Sequence, residues 1–493
     1  MPIKASCFDL RSVACLDLRR VAGVVNACQL GRDPFTHLKT DWKYKMSKNS
    51  EASRRGFLQG TAKVAAGASL LAGLNPVRAA HVSADETIRI GLIGCGGRGR
   101  GAADQAMNTA GPTKLVAVAD AFEDNLKSAV NTLSRQHAEK VDVPEDRQFV
   151  GLDAFQKVLE QDVDLVILAT PPGFRPLHFE AAVKAGKHVF MEKPVAVDPA
   201  GVRKVVDAAA AAKQKNLAVA VGLQRRHEPI YIETIKRLQD GAIGRIVATR
   251  AYWNGEGVWV RPRKEGQSEM EYQMRNWYYF NWLCGDHITE QHIHNLDVIN
   301  WLMGGYPTMA QGQGGRQVRT GKEYGEIYDH HFVEFTYEKD GDRSVLLSQC
   351  RHIGNCWNSV SEYAHGATGF CNIGDGQIFD TKGKLVWEYP RAEGGKRKNL
   401  HDGWQQEHHD LFASIRKGDI PAEGEYGAYS SMTSILGRMA TYSGREVSWQ
   451  DALSSSLVIS PVDKFHSFED QPPVLPNAEM VYGIPTPGVT KVL

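Results

Sequence analysis

The sequence predicts an α/β protein: an N-terminal doubly wound parallel sheet, then an α/β domain with a largely antiparallel open sheet. Three observations carry this. A glycine-rich turn, Gly94-Cys95-Gly96-Gly97-Arg98-Gly99, follows the apolar run Ile88 to Ile93 and leads into a helical stretch. From there to Gly222, apolar runs alternate with helical stretches, the rhythm of βαβ units. Beyond Gly222, segments alternate polar and apolar between glycine-containing turns, as strands with one wet face do.

The chain of 493 residues is long enough for two domains. A formal net charge of +1 gives no global attraction to nucleic acid. No apolar run reaches the ~18 residues of a membrane span. Residues 1–80 are set aside as an upstream segment and a leader. Ser53-Arg54-Arg55-Gly56-Phe57-Leu58 is a twin-arginine pattern, followed by a weakly apolar stretch and by Val77-Arg78-Ala79-Ala80, suited to cleavage. Export to a bacterial periplasm is expected from it, with Met46 as the start. The remaining divisions are 81–222, 223–455 and an extended, Pro-rich tail, 456–493. Five cysteines lie outside the leader without a Cys-x-x-Cys, so neither a zinc ribbon nor a redox motif is indicated; pairing of Cys350 with Cys356 stays open.

The order strand, G-x-G-x-x-G, helix is that of a Rossmann dinucleotide site. Gly94 permits the tight turn, Gly96 lets the backbone approach a pyrophosphate, and Gly99 lets helix and strand pack closely. The whole turn, with Gly97 and Arg98, is assigned to the cofactor. A second strand, Lys114 to Ala119, ends in Asp120, about 20 residues past the turn, where an acid binds ribose hydroxyls and repels a 2′-phosphate. NAD is therefore expected over NADP. Asp120 also suits an N-cap for the helix near Glu123. The buried strand Val163 to Thr170 stops at Pro171-Pro172, a helix 176–185 closes at Gly186, and the run Lys187 to Phe190 ends in Met191-Glu192-Lys193-Pro194. A Lys there sits where open α/β sheets bind ligands. Helix 199–212 and the strand Leu217 to Val221 complete this half. In the second half, strands are expected at 244–253, 328–338, 344–351, 368–373 and 376–388, an aromatic-dense segment from Tyr272 to Trp282 leads into a helix to Met303, and helices lie near 405–416 and 426–442.

By these features the chain resembles the Gfo/Idh/MocA oxidoreductases over roughly residues 86 to 450. The resemblance rests on the glycine turn, Ala169-Thr170-Pro171-Pro172 with His178, Glu192-Lys193-Pro194, Gly222-Leu223-Gln224-Arg225-Arg226, and His294-Asn295-Leu296-Asp297 leading into Trp301-Leu302-Met303-Gly304. It implies a nicotinamide domain, a second domain whose open sheet often serves oligomerisation (a dimer or tetramer here), and a sugar or polyol substrate. It adds Thr170, Pro171, Pro172, His178, Glu192 and Lys193 to the cofactor set. It also implies a catalytic centre of the Lys with an Asp-x-x-x-His pair. Lys193 and His294 match; the Asp position holds Glu290, one methylene longer.

Oxidising a carbinol needs a base for the hydroxyl proton while hydride leaves. His294 is the natural acid/base, and Lys193, its pKa lowered beside the nicotinamide, would steady the forming alkoxide. Glu290, four residues before His294, is expected on the same helix face. Arg225, Arg226, Trp253, Trp259, Asp286, His287 and His292 are candidate substrate contacts, with the alternative that Arg225 and Arg226 simply hold the crossing between the domains through surface carboxylates. A metal held by His287, Glu290, His292 and His294 is not expected, because His287 to His292 is an awkward helical spacing and the resembled family works without metal. His330-His331 and His408-His409 each read as one packed and one surface side chain. The function expected is an NAD-dependent sugar or polyol oxidoreductase with tightly bound, internally recycled cofactor. The alternatives are a redox-neutral glycosidase or lyase working through a keto-sugar, and a carbohydrate-sensing or scaffold protein that only kept the fold.

Overall fold

The computed structural model describes residues 86–390 and 402–493, so the expected leader lies outside the described residues. The first sheet has six parallel strands in the order β3-β2-β1-β4-β5-β6: β1 (Ile88–Ile93), β2 (Thr113–Asp120), β3 (Gln148–Val150), β4 (Leu165–Leu168), β5 (His188–Met191) and β6 (Val219–Val221). The order reverses between β1 and β4, so the loops leaving their carboxyl ends diverge and open a crevice. Strand residues point alternately to two apolar clusters. Leu165 and Ile167 join Ala103, Leu126 and Phe412 on one face; Val166 and Leu168 join Phe179 and Val202 on the other. With both faces covered, these strands are apolar throughout rather than alternating.

The second sheet has nine strands, ordered β14-β13-β12-β11-β7-β10-β9-β8-β15: β7 (Ile246–Gly255), β8 (Met309–Gly315), β9 (His330–Lys339), β10 (Asp342–His352), β11 (Ser359–Gly366), β12 (Gly369–Asn372), β13 (Gln377–Asp380), β14 (Leu385–Glu388) and β15 (Val447–Ser448). All pairs are antiparallel except β7 with β10. The single strand expected over 376–388 is the hairpin β13–β14, turned at Lys382-Gly383. Strands β8, β11 and the two-residue β15 were not anticipated. Three glycines make β8 a poor intrinsic strand; pairing with β9 and cover from the helix Gly424–Ser443 form it, with Gly312 close against Thr441.

The helix Asp402–Lys417 and the loop after it return to the first sheet. Leu411, Phe412 and Ile415 of the helix Asp402–Lys417 belong to its core, and the Val219 N–H bonds the Pro421 carbonyl at 2.9 Å. The Pro-rich tail lies on its own chain, with Gln273 Nε2 donating to the Val474 carbonyl (2.6 Å) and Tyr328 to that of Pro485 (3.0 Å). All five described cysteines are free; Cys350 is buried and Cys356 exposed. No described helix is long and apolar enough to cross a membrane.

Candidate active site

A cavity of about 690 Å³ opens at the carboxyl ends of β1, β2 and β4. Gly94, at φ +99°, and Gly99 shape its floor. A Cβ on Gly94 would stand 2.6 Å from the Ala169 carbonyl carbon, and one on Gly99 only 1.8 Å from the Gly94 oxygen. Gly96 and Gly97 are different: a Cβ on either meets nothing within 4 Å, because they face the cavity. The helix Gly97–Met107 starts there without a side-chain cap, leaving its first N–H groups available to an anion. Asp120 lines the same cavity. Its carboxylate accepts from the N–H groups of Cys95 (2.6 Å) and Phe122 (2.8 Å), so it also braces the glycine turn. Burial raises its pKa, against those hydrogen bonds.

Thr170, Pro171 and His178 form the β4 side. His178 Nδ1 lies 3.1 Å from Thr170 Oγ1, and burial, then Arg175, lowers its pKa to about 3, so it is neutral. Pro172 instead starts a buried 3₁₀ turn. Trp259 and Trp277 close the far wall, which puts Trp259 at the nucleotide cavity. An uncapped helix end, two glycines open to the cavity and an acid at the end of β2 form a donor and acceptor set that fits a dinucleotide.

Beyond β5, Lys193 is nearly buried. Its Nζ donates to Glu290 twice, to Oε1 at 2.9 Å and to the main-chain carbonyl at 2.5 Å. Glu290 therefore reaches Lys193 despite its extra methylene. Its other oxygen, Oε2, is buried with no hydrogen-bond partner among the described residues. His294 does not share a continuous helix with Glu290, contrary to the spacing argument. The helix His287–Glu290 ends, the chain resets through Gln291 and His292, and a second helix, Ile293–Met303, begins. The reset is visible in the His292 N–H, which bonds the His287 carbonyl five residues back. His294 still faces the same centre. Its ring stacks on Trp253 of β7 at 5.9 Å, and burial, then Lys193, Arg225 and Arg98, hold its pKa well below the ordinary value.

Residues 88–222 match the NAD-binding Rossmann-fold model of the Gfo/Idh/MocA oxidoreductases, and residues 231–368 match the Gfo/Idh/MocA C-terminal domain, together more than half of the chain. The chain is a Gfo/Idh/MocA-family oxidoreductase. It is similar to inositol 2-dehydrogenase of Rhizobium meliloti (strain 1021), 24% identical over 336 residues, which are 68% of this chain and 88% of that one. Inositol 2-dehydrogenase of Klebsiella pneumoniae (strain 342) is 27% identical over 256 residues, 51% of this chain and 65% of its own. Among solved structures, levoglucosan dehydrogenase in complex with NADH and levoglucosan aligns with a TM-score of 0.57 at 17% identity, over 74% of this chain and 99% of that one. Myo-inositol 2-dehydrogenase from Lactobacillus plantarum gives 0.54 at 20% identity over the same shares. These structural likenesses establish the fold.

Several expected contacts of this Gfo/Idh/MocA protein have other partners. Arg98 pairs with Glu192, and its Nη2 lies 3.7 Å from Glu407, so two residues assigned to the cofactor bind each other. Arg225 is bound to Glu362, which also accepts from Asn295 (2.5 Å) and Tyr231 (3.1 Å). Arg226 makes a two-pronged pair with Asp297 and lies 4.1 Å over the Tyr426 ring. Both guanidiniums fasten the turn after β6 to the second domain. His292 Nε2 lies 2.7 Å from Ser348 Oγ under β10, and Asp286 and His287 are fully buried. Sequence reasoning missed Arg175, Glu362 and Glu407. Arg175 is 1% exposed and donates to the carbonyls of Leu168 and Thr170, both at 2.7 Å, fixing the end of β4. Nothing local marks it except its place two residues after Gly173.

Proposed function

We propose that this enzyme oxidises a CH–OH group of a sugar or polyol with NAD as hydride acceptor. The observation that carries the reading is the meeting of Lys193, Glu290 and His294 beyond β5, beside a cavity suited to a dinucleotide. His294, neutral through burial, takes the hydroxyl proton. Stacking on Trp253 keeps its ring in one plane. Lys193 donates to the carbinol oxygen as negative charge grows there, and Glu290 holds the ammonium in place. Gly94, Gly96, Gly97, Gly99 and Asp120 would hold the dinucleotide, whose nicotinamide supplies the hydride acceptor. Asp120 supports NAD over NADP by charge repulsion. The relatives' names, inositol 2-dehydrogenase and levoglucosan dehydrogenase, support a carbohydrate or polyol as substrate.

The Arg54-Arg55 leader pattern supports export to the periplasm. A nucleotide released outside the cytoplasm is lost, so a resident, internally recycled cofactor fits that address. Exposed Phe332 of β9 and Trp357, which packs on Tyr252 of β7, share one face of the second sheet and support a dimer or tetramer. The test is to incubate the purified protein with free sugars, polyols and aryl glycosides. Oxidised product, with the hydride held as bound NADH or passed to a second sugar, is the expected result. Aglycone release without net NADH would make it a redox-neutral lyase, and turnover of none of them would overturn the reading.

A further inference from the structure

Behind the catalytic segment, three buried side chains converge from two elements. Asp286 caps and His287 opens the short helix His287–Glu290, and His331 points inward from β9. One ligand atom from each lies within 4.8 Å of the other two. Relative exposure is 0% for Asp286 and His287 and 3% for His331.

The hydrogen bonds orient these side chains. The Thr441 hydroxyl lies 3.0 Å from the Arg438 carbonyl and 2.9 Å from His331 Nδ1, so that ring nitrogen is held in place. The other ring nitrogen, His331 Nε2, is turned toward Asp286 Oδ2 at 3.3 Å and makes no well-aligned hydrogen bond among the described residues. A ring held at one nitrogen by a hydroxyl, with the other turned to a buried carboxylate, is arranged as a metal-bound imidazole is. His287 offers either nitrogen: Nδ1, 2.8 Å from Asp286 Oδ1, or Nε2, buried and unpartnered. Asp286 adds a buried carboxylate, oriented by the Tyr442 hydroxyl (2.6 Å) and the Tyr328 N–H (3.0 Å). Its backbone is held at φ +69°, a conformation that a non-glycine residue adopts at a cost.

We propose that Asp286, His287 and His331 bind a divalent transition metal of the zinc class. Two imidazoles and a carboxylate suit that class, and three protein ligands leave a further position for water. The metal would tie β9 to the turn that launches the helix His287–Glu290, and so set the position of Glu290 against Lys193. This set differs from the His287, Glu290, His292 and His294 group weighed on spacing alone. It does not depend on the substrate or on hydride transfer.

The experiment uses the full-length protein and reads metal directly. Elemental analysis of protein as purified should give roughly one zinc-class ion per chain. After chelation, titration with Co²⁺ should produce visible absorption bands that saturate at one equivalent, and added Zn²⁺ should raise the melting temperature. Asp286→Asn should abolish the bands. His331→Cys keeps a ligand at that position and should add a near-ultraviolet thiolate-to-cobalt band absent from the wild type. Chains without stoichiometric metal and without cobalt bands would overturn the proposal and make the cluster an imidazolium–carboxylate pair. So would bands left unchanged by both substitutions, which would place the metal elsewhere.

Discussion

Two turns leave the carboxyl edge of the first sheet, one after β1 and one after β6, and opposite means hold them. The turn after β1 depends on missing atoms: Gly94 and Gly99 approach other backbone so closely that no side chain fits. The turn after β6 depends on long charged side chains, with Arg225 and Arg226 reaching Glu362 and Asp297 in the second domain. The first is a local device that can be recognised in a few consecutive residues. The second needs partners 137 and 71 positions away. The first positions a ligand, and the second positions one domain on another.

The comparison breaks most visibly at Gly99. Gly99→Ala drives a Cβ into the Gly94 carbonyl and should cost at least about 3 kcal/mol as overpacking. Gly96→Ala meets no protein atom, so the melting temperature should hold while NAD affinity falls about tenfold, ~1.4 kcal/mol. Calorimetry on both variants separates the two roles; equal melting temperatures would refute the distinction. Arg226→Ala strands the buried Asp297 and should cost about 3–5 kcal/mol in denaturant unfolding, with KM little changed. A large rise in KM with stability intact would restore Arg226 as a substrate contact.

Lys193→Ala and His294→Ala should each lower kcat at least ~100-fold with the fold intact by circular dichroism. His408→Ala, which removes a buried ring packed 4.1 Å from Phe190, should cost stability and leave kcat alone. Normal turnover in Lys193→Ala would remove it from the mechanism. The smallest effect is expected at Asp120, where Asp120→Ala should narrow the preference for NAD over NADP. Tighter NADP binding by the wild-type protein would defeat the ribose role.

What could be read in advance follows the same divide. The glycine turn, the Lys193 strand and the alternation to Gly222 were legible because each is specified by neighbours in sequence. Strand β8 was not, because pairing and helix cover, rather than its own glycine-rich composition, make it a strand. The break between Glu290 and His294 was hidden because their i,i+4 spacing is equally that of one helix. That Arg225 and Arg226 could hold the crossing between the domains was legible, but their partners Glu362 and Asp297 were not, because these lie far along the chain.

The helix Asp402–Lys417 carries a consequence for how the chain is made. It supplies Leu411, Phe412 and Ile415 to a core whose last strand, β6, ends at Val221. Synthesis proceeds at about 5–20 residues per second, so the apolar face that receives these side chains waits on the order of ten to forty seconds for them. The nascent nucleotide domain is thus an unfinished surface while strands β7 to β14 emerge, and a shielding chaperone has that interval in which to act.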